Sequence, residues 1–109
     1  MDRLKLLLQF LEKDPDDEFT RFALAMEFVK SGDEARARQT LVDLVADRPD
    51  YVGAYYHLAA LYIRVGLHEA AAETYRTGIR VAERQRDRHA RSELQAALLE
   101  LEGIGYDDD

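Results

Sequence analysis

Three histidines, two serines and no cysteine are the side chains this sequence offers for nucleophilic or soft-metal chemistry. A metal held on one helix face needs ligands about one turn apart. His57, His68 and His89 have neither that spacing nor a carboxylate–histidine pattern. Ser31 and Ser92 fall at a helix end and on a helix surface, and no cysteine nucleophile is present. Carboxylate pairs such as Asp16-Asp17 and Glu100/Glu102 suit capping and solvation better than acid–base work. The expectation is a chain that is not an enzyme and holds neither metal nor cofactor.

One further constellation carries charge. Arg76, Arg80, Arg84 and Arg88 recur every four residues, so a single continuous helix would stack them as a ladder. Arg86 and Arg91 lie nearby, and such a face could grip phosphates or an acidic partner segment. The competing reading is a solvated face paired with Glu69, Glu73 or the acidic tail. It is the stronger one, because the whole chain is acidic and no glycine-rich phosphate cradle accompanies the arginines. With 22 acidic against 15 basic side chains and a net charge of −7, nucleic acid and anionic membrane are poor partners. No apolar run reaches the roughly 20 residues a membrane span needs. The first residues lack the small-residue exit of a cleaved signal, and the absence of cysteine fits a reducing cytoplasm.

These residues must be positioned by a fold, and the fold is written as a repeat. The only prolines, Pro15 and Pro49, stand 34 residues apart. The same offset relates Leu7/Leu41, Asp16/Asp50, Leu24/Leu58, Ala25/Ala59, Gly32/Gly66, Ala37/Ala71 and Thr40/Thr74. Similar pairs fall in register with them: Phe22/Tyr56, Phe28/Tyr62, Val29/Ile63, Lys30/Arg64, Leu41/Tyr75 and Val45/Ile79. Gly32 and Gly66 stand where a helix would end in a left-handed residue. Asp16 and Asp50 are expected as N-caps, Asp33 caps the next helix, and its counterpart Leu67 gives a weaker start. The pattern predicts helices near 2–13, 17–31, 34–47, 51–65, 68–85 and 88–102. Asp87 opens the last helix, whose stripe is Leu94, Ala97, Leu98 and Leu101.

A 34-residue unit of two helices with these anchors resembles the tetratricopeptide repeat. Unit 18–51 carries Leu24-Ala25, Phe28, Gly32, Ala37, Leu41, Leu44 and Pro49. Unit 52–85 carries Tyr55, Leu58-Ala59, Tyr62, Gly66, Ala71, Tyr75 and Gly78. Residues 2–15 fit the back half of an earlier unit, and 88–102 resembles the capping helix of such arrays. The departures are Arg21 where the family favours tryptophan, Glu83 for the closing proline, and Gly78 inside a helix. Gly78 costs about 1 kcal/mol relative to alanine unless close packing requires it. The resemblance implies an all-α, right-handed α-solenoid of antiparallel helix pairs. It would form one domain over 1–105, with 106–109 a disordered acidic tail.

The same resemblance implies where a partner would bind. The helices near 17–31 and 51–65 are apolar almost all round, which means burial on more than one side. By resemblance, Phe22, Met26, Val29 and Lys30 would join Tyr56, Ala60, Ile63 and Arg64 on a concave surface. That surface would be a hydrophobic groove for a peptide or helix of a partner protein, with Lys30 and Arg64 at its edges and His57 beside it. The alternative is plain core covered by the flanking helices. Met26 and Ala60 stand where a carboxylate clamp of the family would need asparagine, which argues against capture of a partner's terminal carboxylate. The expected function is a non-catalytic interaction scaffold. The alternatives are a homodimer sealed through the same groove and, more weakly, an acidic ligand on the arginine face.

Overall fold

The computed structural model describes residues 2–105, and the expected acidic tail at 106–109 lies outside them. Six helices account for the elements among the described residues: α1 (Arg3–Lys13), α2 (Glu18–Lys30), α3 (Glu34–Asp47), α4 (Gly53–Arg64), α5 (His68–Gln85) and α6 (Arg88–Gly105). The chain divides into two compact units, one ending at Pro49 and the other beginning at Asp50.

In the first unit α2 packs on both α1 and α3. Leu7, Leu24, Ala25, Phe28, Ala37, Leu41 and Leu44 are its buried apolar residues. Ala25 and Ala37 have no exposed surface, because their small side chains let paired helices approach closely. Arg21, standing where the resembled family favours tryptophan, lies with its side chain only 12% exposed. Its guanidinium meets the Asp47 carboxylate at 2.9 Å and so ties α2 to the end of α3.

In the second unit α5 packs on both α4 and α6. Its core includes Tyr55, Leu58, Leu61, Tyr75, Val81, Leu94 and Leu101, with Ala54, Ala59, Ala71, Ala72 and Ala82 between them. Gly78 is buried where these three helices meet. A Cβ there would stand 2.7 Å from Tyr55 Cβ and 3.1 Å from Leu94 Cδ1, so close approach does require glycine.

The turns repeat down to individual hydrogen bonds. Gly32 and Gly66 are left-handed, with φ 86° and 79°. The next residue's N–H reaches back to the helix in each case, Asp33 to Phe28 O and Leu67 to Tyr62 O, both at 2.9 Å. Asp33 then accepts from Arg36 N at 3.2 Å, while Leu67 has no side-chain cap to offer. The α5–α6 turn has the same geometry without glycine. Arg86 is left-handed at φ 57°, Asp87 N donates to Ala82 O at 2.9 Å, and Asp87 caps α6 through Ala90 N at 3.0 Å. Thr40 and Thr74, equivalent by the 34-residue offset, each donate a hydroxyl to the carbonyl four residues back at 2.7 Å.

Two expected caps shift. Asp17, not Asp16, caps α2: its carboxylate accepts from Thr20 N at 2.9 Å and from the Thr20 hydroxyl. The reason is the turn closed by Asp17 N to Asp14 O, which takes up Pro15 and Asp16 as its central residues. Asp50 caps nothing either. The residue equivalent to Asp17 is Tyr51, which lacks a capping oxygen, so α4 starts only at Gly53 behind an uncapped Val52. Asp50 instead meets Arg84 at 3.4 Å, and its carbonyl accepts from Gln85 at 2.6 Å. At the far end α6 runs through Gly103 to Gly105, past the expected stop at 102.

Candidate functional site

The expected groove residues sit on α2 and α4. On α2, Phe22 and Met26 are half-buried and Val29 and Lys30 exposed. On α4, Tyr56 is 42% exposed, Ala60 and Ile63 are half-buried, and Arg64 is exposed. Each set follows the three-, four- and seven-residue spacings that place side chains along one helix face.

Within the second unit, two of these residues open onto a recess of about 240 Å³. Tyr56 and Ile63, two turns apart on α4, form one wall. His68 and Tyr75, two turns apart on α5, form a second, and Ala97, Glu100 and Leu101 on α6 complete it. The Tyr56 and Tyr75 rings meet edge to face, with centroids 6.1 Å apart. Tyr75 is only 3% exposed, and burial raises its hydroxyl pKa, with Tyr56 and then Glu100 adding to the rise. The His57 ring lies 5.7 Å from that of Tyr56. Desolvation lowers its pKa, against a smaller opposing pull from Glu93.

Sequence reasoning named Tyr56 and Ile63 as groove residues and assigned no binding role to His68, Tyr75, Ala97, Glu100 or Leu101. Two signals pointed toward them. Tyr75 is where the repeat replaces Leu41 by a ring with a polar tip, and Ala97 and Leu101 belong to the apolar stripe of α6.

The arginine ladder does not form on one helix. α5 ends at Gln85, the chain turns through left-handed Arg86, and Arg88 is the first residue of α6. The capping carboxylate of Asp87 imposes that break. The remaining members have local partners. Arg76 pairs with Glu73 and Glu102, each at 3.0 Å, and the hydrogen bond it donates to Glu102 is the largest cause of its raised pKa. Arg80 donates to Thr77 Oγ1 at 3.1 Å, and Arg84 meets Asp50. A larger groove of about 470 Å³ lies at the α5–α6 turn, where Arg86, Arg88 and Arg91 alternate with Glu83 and Asp87. Its charges of both signs lie together and Asp87 is committed to capping. The apolar recess is therefore the better candidate for burying part of a ligand.

Among the described residues, no group of three or more histidine or acidic side chains is placed to hold a metal ion. No helix among them is long and apolar enough to cross a membrane. His89 meets Glu93 at 3.2 Å one turn along α6.

No protein-family model matches the sequence, and no curated protein matches it. Solved structures do. The solution structure of a tetratricopeptide repeat domain protein from Salinibacter ruber is 44% identical, with a TM-score of 0.82 over 88% of this chain and 97% of that one. A crystal structure of a tetratricopeptide repeat domain protein from Salinibacter ruber is 45% identical, with a TM-score of 0.78 over 81% and 98%. A protein from Bordetella parapertussis shares the fold at 22% identity, with a TM-score of 0.79 over 93% and 88%.

Proposed function

The chain belongs to the tetratricopeptide repeat family, and on that premise we propose that it is a non-catalytic interaction module that binds a peptide or helix of a partner protein. The reading rests on one observation above the rest: Tyr56 keeps 42% of its surface exposed beside an apolar recess. A large ring held half out of water over a concavity gains by covering, since each Å² of apolar surface removed from water contributes about 25 cal/mol. In the first unit, Phe22 and Met26 on α2 are likewise half-buried. Lys30 and Arg64 give the two faces polar ends.

The test is a selection of displayed random peptides on the full chain, with Tyr56→Asp in parallel. Wild type should enrich binders that Tyr56→Asp loses, while circular dichroism shows unchanged helicity. Light scattering over a concentration series comes first. A monomer leaves the groove free. A dimer that Tyr56→Asp breaks would mean that the occupant is a second copy of this chain. Peptides that bind Tyr56→Asp as well as wild type would sink the groove reading.

A further inference from the structure

The recess of the second unit has an uneven character among its described lining residues: apolar walls and one carboxylate, that of Glu100. α6 carries three carboxylates among its described side chains, Glu93, Glu100 and Glu102. Two have basic partners, Glu93 with His89 at 3.2 Å and Glu102 with Arg76 at 3.0 Å. Glu100, the one that lines the recess, is exposed and has no ion pair among the described residues. Its charge is felt at the Tyr75 hydroxyl, whose pKa burial raises first, then Tyr56, then Glu100. The arginines of α5 do not answer it. Arg76 is held by Glu73 and Glu102, Arg80 turns to Thr77, and Arg84 turns to Asp50. His68 and the two tyrosines are the other titratable groups on the lining.

An occupant that suits this recess needs an apolar body and a positive end. We propose that the recess seats a basic side chain of a bound peptide, arginine in preference to lysine, with its stem against Ile63, Leu101 and the tyrosine rings and its cation at Glu100. The stem of such a side chain buries well on apolar walls while its head stays at the rim. Guanidinium has the further advantages of stacking on a tyrosine ring and pairing with a carboxylate through two parallel hydrogen bonds. The proposal rests on the groove reading and adds to it the chemistry of the ligand. It also separates this site from one that captures a partner's terminal carboxylate, which would need the opposite charge.

The same display of random linear peptides tests it, run on the full chain as wild type, Glu100→Gln, Glu100→Lys and Tyr56→Asp. Glu100 is an exposed helix residue, so its variants should fold, which circular dichroism and the melting curve would check. Wild type should enrich peptides carrying arginine or lysine next to an apolar residue. A synthesised winner should bind Glu100→Gln up to about fivefold more weakly, the scale of an exposed ion pair. Glu100→Lys should lose basic peptides and select acidic ones. Winners that need Tyr56 but show no basic enrichment would overturn this proposal and leave the groove standing. So would winners that bind Glu100→Lys as tightly as wild type. A wild-type selection that yields no winners would overturn both.

Discussion

Gly78 on α5 lies so close to Tyr55 on α4 that no side chain fits between them: a Cβ on the glycine would stand 2.7 Å from the Tyr55 Cβ. The atom in the way is fixed to the backbone, so it can yield only if a helix moves. Leu94 of α6 closes the other side at 3.1 Å. One glycine thus sets how closely three helices of the second unit can pack.

The consequence reverses the usual sign of a helix substitution. Gly78→Ala gains about 1 kcal/mol of helix propensity but forces overpacking that costs about 1–3 kcal/mol. The balance is a net loss of up to about 2 kcal/mol, and its midpoint of about 1 kcal/mol would lower the melting temperature by roughly 4–8 °C. A melt at or above wild type would mean that the α4–α5 contact relaxes without cost.

Arg86 offers the opposite case. It holds the left-handed geometry that Gly32 and Gly66 hold in the equivalent turns, and an L-residue there costs roughly 1–2 kcal/mol. Arg86→Gly should raise stability by about 1 kcal/mol, while Gly32→Ala and Gly66→Ala should lower it by a similar amount. Thermal melts of the three variants check the sign at each turn.

The alkaline limb of stability should report the buried tyrosines. Burial is the first cause raising both Tyr55 and Tyr75, and negative neighbours add to it. A folded pKa above the unfolded one means that their contribution is whole below the ordinary tyrosine range and falls as pH rises through it. Denaturant titrations above neutral pH should show that decline, and Tyr75→Phe should flatten it. An unchanged decline in Tyr75→Phe would assign the effect to other groups.

The ion pair between Arg21 and Asp47 has one partner largely out of water, which makes its removal asymmetric. Asp47→Ala leaves a mostly buried guanidinium unanswered and should cost about 1 kcal/mol, discounted from a fully buried pair because Asp47 is 59% exposed. The loss should shrink in high salt, where exposed charge is screened. Chemical denaturation in urea at two salt concentrations measures both.

The sequence carried most of what depends on residues within a turn or two of one another. Gly32 and Gly66 named the left-handed helix ends, Asp33 and Asp87 named caps, and the 34-residue recurrence ordered the helices, because these are hydrogen-bond geometries of neighbours along the chain. Local rules faltered where two of them competed. The turn at Pro15 took Asp16 for itself and passed the cap to Asp17, and a cap at Asp87 broke the arginine ladder before Arg88. Packing alone settled why Gly78 is glycine and why Tyr56, Tyr75 and Glu100 share one recess. Those residues come from three helices, and their meeting depends on how each helix is rotated against the next. That rotation follows from the shapes of all the side chains between them, which no spacing along the chain records.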